Sequence, residues 1–430
     1  MHIDIATALD DVATPGVPRA ALERLDDRVA TAHDTIRAER AAGTFGYAAL
    51  DPDPPREALA ATAERFPDAE TLLVVGIGGS ALPAGALAAP LVEDLDVRLL
   101  DNADPAALDA ALDGVDPART VVNVVSRSGA TAETIANFRA VCAAFVDAGV
   151  DWTERTVATT GPDGPLRDLA ESEGLQTLPA PADVPGRFGV FGAVGLLPLV
   201  IESRDVDALL AGARSVADDL SGSLFETPPS AHAAVAYALD ARGAGTDVLM
   251  PYADQLRAFV EWDAQLLAES LGKDGVGVTP VRARGTTDQH AHLQLYRGGP
   301  RDKLVTVLAV ADRPDADAVA ADDDLAPAYL AGTSLADLQD AARRATTASL
   351  ANAERPAVTL ELESLDEREV GALAAHAVAR TLVLGELYDV ETFDQPAVEW
   401  GKRAMRGLLG DPDCEAEAED VRSLPSLVVE

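Results

Sequence analysis

Short apolar runs alternate with helical segments along most of this chain, and that alternation limits its fold more than any other feature. The segments between the runs carry apolar residues about 3.6 positions apart, as amphipathic helices do. Strand–helix alternation at this interval predicts parallel sheets with helices on both faces. The runs, which are rich in β-branched residues, lie at 72–75, 97–100, 120–125, 156–159, 247–250, 303–310 and 357–361.

Two stretches of turn-forming residues divide the 430 residues into parts large enough to be separate domains. One is Asp51-Pro52-Asp53-Pro54-Pro55 and the other spans 219–230. Residues 312–327 are predicted to form a solvated acidic loop. The predicted segments are a helical arm at 1–50, a first α/β domain at 51–218, a second α/β domain at 219–410 and an acidic C-terminal tail at 411–430.

The charge balance excludes several classes of partner. The chain has 72 acidic residues against 34 lysines and arginines, a net charge of −38. Such a surface repels nucleic acid phosphates and anionic lipids. At 1 M salt the Debye length falls to about 3 Å, so like charges stop repelling one another and the composition indicates adaptation to high salt. Only Lys273, Lys303 and Lys402 remain as lysines, and we expect Lys273 and Lys402 to have specific roles.

The sequence also predicts a compartment. Two cysteines, Cys142 and Cys414, are too few for a disulfide framework and fit a reducing environment. The first residues show neither the basic nor the apolar segment of a signal peptide. The longest apolar run, 192–201, is too short to span a bilayer. We therefore predict a soluble, cytoplasmic protein.

Two loops that follow predicted strands have the composition of anion sites. Gly76-Ile77-Gly78-Gly79-Ser80 opens a helix, so its backbone N–H groups can approach a phosphate. It also fits a dinucleotide fingerprint, with Asp101 where a ribose-binding acid would lie. The second loop, Ser126-Arg127-Ser128-Gly129-Ala130-Thr131, offers three hydroxyls and a guanidinium. It reads either as an oxyanion cup or as an N-terminal helix cap.

Further along, charged groups occur where a site would need them. Arg187 precedes an apolar helix, where it either balances a developing negative charge or forms a structural ion pair. Gln265 and Glu269 lie opposite the apolar stripe of their helix, a face that is usually solvated. Asp288, His290 and His292 alternate, so in a strand they would share a face; we favour proton transfer over metal binding for the histidines.

Taken together these motifs resemble the glucose-6-phosphate isomerase (phosphoglucose isomerase) family of the sugar-isomerase-domain superfamily. The resemblance is collinear from Gly76 to Lys402, about three quarters of the chain. It implies two α/β/α sandwich domains with mainly parallel sheets, which agrees with the alternation. It also implies reversible isomerisation of glucose 6-phosphate and fructose 6-phosphate, in glycolysis and gluconeogenesis, through ring opening and a cis-enediol, with no metal and no cofactor.

The same resemblance implies a role for each matching residue. Glu269 would be the base, Arg187 would stabilise the enediolate, and His290 and Lys402 would open the sugar ring. In the family this histidine reaches in from the neighbouring subunit, which implies a homodimer with shared active sites. The implied substrate-binding residues are Gly79, Ser80, Ser126, Arg127, Ser128, Thr131, Gln265 and Gln395.

The chain departs from the family pattern in its loops, and other functions stay open. Arg127 stands where a lysine is common, Ala130 provides no hydroxyl, and Pro185 precedes Gly186-Arg187 where a glycine is common. The nearest alternative is a related isomerase acting on mannose 6-phosphate or an amino sugar phosphate. A sugar-phosphate sensor without catalysis and an NAD-dependent oxidoreductase are more distant alternatives.

Overall fold

The strands pair into two five-stranded sheets in a computed structural model, which describes residues 1–313 and 327–429. Every apolar run predicted as a strand forms one, with ends that differ by a residue or two. The strands are β1 (His2–Asp4), β2 (Thr71–Val75), β3 (Asp96–Leu100), β4 (Thr120–Ser126), β5 (Thr156–Thr160), β6 (Gln176–Pro179), β7 (Thr246–Pro251), β8 (Thr279–Arg282), β9 (Lys303–Val310) and β10 (Ala357–Leu362).

Helices connect these strands, and short 3-10 turns supplement them at the ends of several elements. The helices are α1 (Arg19–Ala42), α2 (Arg56–Arg65), α3 (Leu82–Leu91), α4 (Pro105–Leu112), α5 (Ala132–Asp147), α6 (Pro165–Glu173), α7 (Ala193–Ile201), α8 (Val206–Asp218), α9 (Pro228–Asp240), α10 (Arg257–Leu271), α11 (Thr287–Ala291), α12 (Leu293–Gly298), α13 (Leu335–Asn352), α14 (Glu367–Tyr388), α15 (Glu399–Leu408) and α16 (Glu415–Arg422).

Both sheets are mainly parallel, which confirms the predicted fold class. The first has the order β3-β2-β4-β5-β6 with every pair parallel. The second has the order β1-β10-β9-β7-β8, and only β1 runs antiparallel, with Ile3 opposite Leu360. That edge strand lies in the segment predicted to be a helical arm. The alternation of strand and helix did not indicate it, because it is three residues long.

The first sheet is covered on both faces, and this places its loops beside the second half of the chain. Strands β2 and β4 are buried along their whole length, as the centre of a parallel sheet requires. Leu73 and Val75 belong to a core with Phe138 and Phe145 of α5. Helix α3 packs against both α7 and α10. Helix α3 lies between strands of the first sheet and α10 between strands of the second, so their contact joins the two halves of the chain.

The chain divides into two compact units of very different size. Met1–Thr392 contains both sheets, and Phe393–Glu430 contains α15 and α16. In the second unit Cys414 and Ala418 are fully buried, so part of the segment predicted to be an acidic tail forms a helix with a buried face. The domain boundaries predicted at residues 51, 219 and 411 remain predictions. The acidic loop predicted at 312–327 lies almost wholly outside the described residues.

Helix α14 forms the centre of the second half and carries charge into it. Of the helices in the described part of the chain, α14 alone is long and apolar enough to cross a membrane, but 94% of its apolar stretch is buried inside the protein. Arg380 of this helix binds both carboxylate oxygens of Asp263 on α10, at 2.8 and 2.9 Å. Asp247 of β7 lies 3.5 Å from the same guanidinium. All three side chains are buried.

Candidate active site

The glycine loop after β2 approaches two other predicted site residues so closely that only glycine fits. Residues Gly78–Ser80 form a 3-10 turn, and Gly78 has a φ of +54°. A Cβ on Gly78 would lie 2.5 Å from Nε2 of Gln265, and one on Gly79 would lie 2.4 Å from the backbone nitrogen of Arg187. The loop, Arg187 and Gln265 are therefore in direct contact. This packing favours the anion-loop interpretation over the dinucleotide fingerprint.

Arg187 has a buried guanidinium whose donors are directed at fixed acceptors. It lies in the 3-10 segment Gly186–Phe191, and its side chain is 1% exposed. Nε donates to the hydroxyl of Ser270 at 2.9 Å, and Nη2 donates to the carbonyl of Thr392 at 2.9 Å. Nη1 lies 3.3 Å from Oε2 of Glu269. A planar guanidinium held at these positions has a fixed orientation.

The Glu269 carboxylate is oriented through both of its oxygens. Nε2 of Gln265 donates to Oε1 at 2.8 Å, while Oε2 faces Arg187. The side chain is 32% exposed, so a bound molecule can reach it. The amide oxygen of Gln265 is buried and has no hydrogen-bond partner within the described residues. Arg187, Gln265 and Glu269 thus form one cluster, which we call the carboxylate cluster.

Helical periodicity alone favours a solvated face for Gln265 and Glu269, but in the structure this face is half-buried. Trp262, Asp263 and Ser270 are buried in addition to the apolar stripe, so α10 is covered on most sides. The face with Gln265 and Glu269 is half-buried because the glycine loop and Arg187 pack against it. A single-helix pattern cannot show a covering that comes from residues about 80 or 190 positions away.

The hydroxyl loop lies next to the glycine loop, because β4 pairs with β2 and parallel strands end at the same sheet edge. The hydroxyls of Ser126 and Thr131 are 3.1 Å apart. Thr131 occupies the N-cap position of α5 but makes no capping hydrogen bond with its side chain. The first backbone N–H groups of α5 therefore have no side-chain cap from Thr131, which favours the anion cup over the simple cap. Ser128 and Arg127 are exposed.

Arg127 is directed at another loop in this structure. Its guanidinium donates to the carbonyls of Ala182 and Val184 at 3.2 and 3.3 Å, and it lies 5.4 Å from the ring centre of Phe45. These carbonyls belong to the segment that leads into Arg187. A phosphate contact from Arg127 would require its exposed side chain to change partners, so that assignment remains a prediction.

The histidine motif is helical, so its residues do not alternate across a strand. Asp288 and His292 lie four residues apart on α11 and its C-cap, with Oδ1 and Nδ1 3.0 Å apart. His290 lies on another face of this helix and is exposed. Neither Glu269 nor Gln265 is hydrogen-bonded to it within the described residues. Over 1–313 and 327–429, no group of three or more His, Cys, Asp or Glu side chains is arranged to hold a metal.

The remaining predicted residues lie in the second unit. Lys402 is on α15, where its ammonium pairs with Glu399 at 2.7 Å and is 57% exposed. Gln395 precedes the 3-10 turn Pro396–Val398. Their roles remain predictions.

Three residues that hold the carboxylate cluster in place were not predicted. Trp262 donates from Nε1 to the backbone carbonyl of Arg187 at 2.7 Å. The Ser270 hydroxyl and the Thr392 carbonyl hold the Arg187 guanidinium. Only Ser270 had a sequence signal, because it directly follows Glu269. A buried tryptophan and a backbone carbonyl carry no signal of this kind.

Two parallel-sheet halves, adjacent anion-type loops and an oriented carboxylate beside a buried arginine define the class of α/β sugar-phosphate isomerases. Solved structures agree on the fold. A hypothetical protein from Thermus thermophilus superposes with a TM-score of 0.86 at 36% identity, covering 95% of this chain and 99% of that one. A glucose-6-phosphate isomerase from Chlamydia trachomatis superposes with a TM-score of 0.73 at 24% identity, covering 86% and 77%.

Sequence comparison identifies the family within that class. The family model for phosphoglucose isomerase matches residues 62–423. A probable glucose-6-phosphate isomerase of Haloarcula marismortui is 51% identical over 98% of each chain. A glucose-6-phosphate isomerase of Rubrobacter xylanophilus is 42% identical over 84% of this chain and 88% of that one. The chain belongs to the phosphoglucose isomerase family.

Proposed function

We propose that this chain interconverts glucose 6-phosphate and fructose 6-phosphate, in glycolysis and gluconeogenesis. The observation that carries this assignment is the carboxylate cluster, in which Glu269 faces the buried cation of Arg187 beside two anion-type loops. An isomerase that moves a proton between two carbons needs a positioned base, a cation for the enediolate and a grip on the phosphate. A sugar-phosphate sensor without catalysis needs neither the base nor the cation for the enediolate. No step of the proposed isomerisation uses a nucleotide or a metal.

The phosphate grip comes from the two loops at the edge of the first sheet. In this proposal the hydroxyls of Ser126, Ser128 and Thr131, together with Gly79 and Ser80 of the glycine loop, hold the phosphate near the N-terminus of α5. The partial positive charge of a helix N-terminus favours a dianion there. Binding energy from this remote group holds the reacting carbons near Glu269.

Proton transfer follows once the ring is open. His290 and Lys402 move protons between ring oxygen and hydroxyl groups as the ring opens. Glu269 then removes the C2 proton and returns it at C1 through the cis-enediol. Gln265 and Arg187 each hold one oxygen of the carboxylate. Glu269 therefore loses little orientational freedom when it removes a proton from the substrate carbon. The Arg187 charge offsets the negative charge that develops on the substrate.

A coupled assay on fructose 6-phosphate in molar salt tests this function. We expect isomerisation to glucose 6-phosphate, unchanged by a chelator and with no absorbance change when a nicotinamide cofactor is added without the coupling enzyme. Mannose 6-phosphate and glucosamine 6-phosphate serve as comparison substrates. A higher kcat/KM on either of these would assign the chain to the related activity instead.

We further infer a cytoplasmic homodimer in which His290 serves the active site of the other subunit. The exposed position of His290, without a hydrogen bond to Glu269, supports this arrangement. The free, buried cysteines Cys142 and Cys414 support a reducing compartment.

Mixing inactive variants tests the shared site. Glu269→Gln and His290→Gln are each expected to be inactive, but after unfolding and refolding together their hybrid dimers have one site with both native residues. Random pairing should restore roughly a quarter of the wild-type activity if the dimer is closed and symmetric. Sites formed within one chain would restore none, and an active monomer at working salt would equally contradict the proposal.

A further inference from the structure

Lys273 contacts two chain segments that also hold Arg187. Its Nζ donates to the carbonyl of Ser270 at 2.8 Å and to the carbonyl of Glu391. Ser270 also accepts from Nε of Arg187 through its hydroxyl, and the next carbonyl after Glu391, that of Thr392, accepts from Nη2. Two cations therefore bind the same pair of segments, one at the end of α10 and the other at 391–392.

This arrangement has a consequence for the direction of the Arg187 guanidinium. Arginine presents its donors as a planar fork, so the positions of the Ser270 hydroxyl and the Thr392 carbonyl determine where Nη1 is directed. Nη1 is the atom that faces Glu269, 3.3 Å from Oε2. A shift of either acceptor rotates the fork and moves this charge relative to the reacting carbons. Misplacement of about 1 Å in a site can cost about 100-fold in rate.

The composition of the chain supports a role beyond solubility. Lys273 is one of three lysines among 430 residues, in a chain that otherwise uses arginine for its basic groups. A lysine after a helix end commonly binds the last carbonyls, but Lys273 also reaches a carbonyl 118 positions away. We propose that Lys273 is a positioning residue for the isomerisation: it fixes the acceptors of Arg187 and thereby directs the Arg187 charge at the enediolate. This inference rests on the proposed function.

Three variants separate this role from simple helix capping. Lys273→Met removes both hydrogen bonds, and Lys273→Arg keeps a cation that can donate to both carbonyls. Lys303→Met is the matched control, because Lys303 is a largely buried lysine that also binds a carbonyl, that of Pro300 at 3.3 Å, and pairs with Asp302. If Lys273→Met does not fold in molar salt, Lys273→Gln replaces it, since its amide keeps donor hydrogens on a shorter, uncharged side chain.

The measurements are kcat, KM and the affinity of two unreactive inhibitors. One is an open-chain hexitol 6-phosphate, which is uncharged at C1 and C2. The other is a phosphorylated aldonohydroxamate, whose ionised form places negative charge where the enediolate forms. For Lys273→Met we expect kcat to fall about 10- to 100-fold with KM within about 3-fold. Hydroxamate affinity should fall by a similar factor and hexitol phosphate affinity should stay unchanged. Lys273→Arg should recover most of kcat, and Lys303→Met should keep it.

Each other outcome overturns the inference. If Lys273→Met keeps kcat and only unfolds at lower temperature, Lys273 is a helix cap. If both inhibitors lose affinity equally, the variant has disturbed the pocket and not the direction of one charge. If Lys273→Arg is as slow as Lys273→Met, the hydrogen bonds to the two carbonyls are not what matters. A wild-type chain without activity on fructose 6-phosphate would instead refute the proposed function, before any variant is compared.

Discussion

Replacing Glu269 with glutamine is expected to lower kcat for fructose 6-phosphate by about 1,000-fold or more. The amide cannot accept the proton that fructose 6-phosphate loses from C1, while its size and its contact with Gln265 remain nearly the same. Exchange of solvent hydrogen into the substrate should be lost to the same degree, because exchange and isomerisation share the enediol. Sugar-phosphate affinity should change little, since the loops of the first sheet hold the phosphate.

Glu261→Gln provides the matched control on the same helix. Glu261 is a half-exposed glutamate on α10, about two helical turns before Glu269, and it pairs with Arg282 at 3.4 Å. We expect it to keep wild-type kcat and exchange. Retained solvent exchange in Glu269→Gln would remove Glu269 from the role of base. A large loss in both variants would mean that the helix, and not the carboxylate, was disturbed.

Much of the fold could be predicted from the sequence because parallel sheets have a strong local signature. Central strands such as β2 and β4 are buried on both faces and read as continuous β-branched runs. The short edge elements lacked such a signature. Strand β1 has three residues, of which two are exposed and one is half-buried. Strand β8 contains a proline and no fully buried residue. Their pairing depends on a neighbouring strand and not on their own composition.

The site could be predicted only in part, because its parts are joined by tertiary contacts. The residue types, an arginine, a glutamate and two loops, are visible in the sequence. Their closeness is not: Gly79 touches the backbone of Arg187, and Gln265 lies over Gly78. The alternation of Asp288, His290 and His292 was misleading, since a period of two over five residues also occurs in helices such as α11. Longer context is needed to separate the two.

A buried charge network behind α10 also escaped the sequence analysis. Arg380 pairs with Asp263 through two hydrogen bonds and lies near Asp247, in a core that also contains His232 and His376. Burial raises the pKa of Asp247 to about 6, lowers the pKa of His376 to about 3 and lowers the pKa of His232, so the histidines are neutral at pH 7. One cation thus balances two carboxylates. It also ties α14 to the helix that carries Glu269.

Arg380→Met is expected to lower the free energy of unfolding by about 3–5 kcal/mol at pH 8, because it leaves two buried carboxylates without their cation. Burial already raises the pKa of both Asp247 and Asp263 above the ordinary 3.8. A native state with raised carboxyl pKa values holds protons that the unfolded state releases, so its stability is kept at low pH and lost as pH rises through those values. The penalty should therefore be largest at pH 8 and shrink toward pH 5.

Denaturant unfolding in molar salt measures this, with an exposed arginine–aspartate pair as the control. Arg284 binds both oxygens of Asp254 at 2.6 and 2.9 Å, but its side chain is 41% exposed. Arg284→Met should change the free energy of unfolding little at any pH, because solvent and salt already screen that pair. The double variant Asp263→Asn/Arg380→Met should recover part of the lost stability, since only one buried carboxylate, that of Asp247, then lacks the Arg380 charge. A penalty for Arg380→Met that does not change between pH 5 and pH 8 would show that lost packing, and not an uncompensated buried charge, sets the stability of this core.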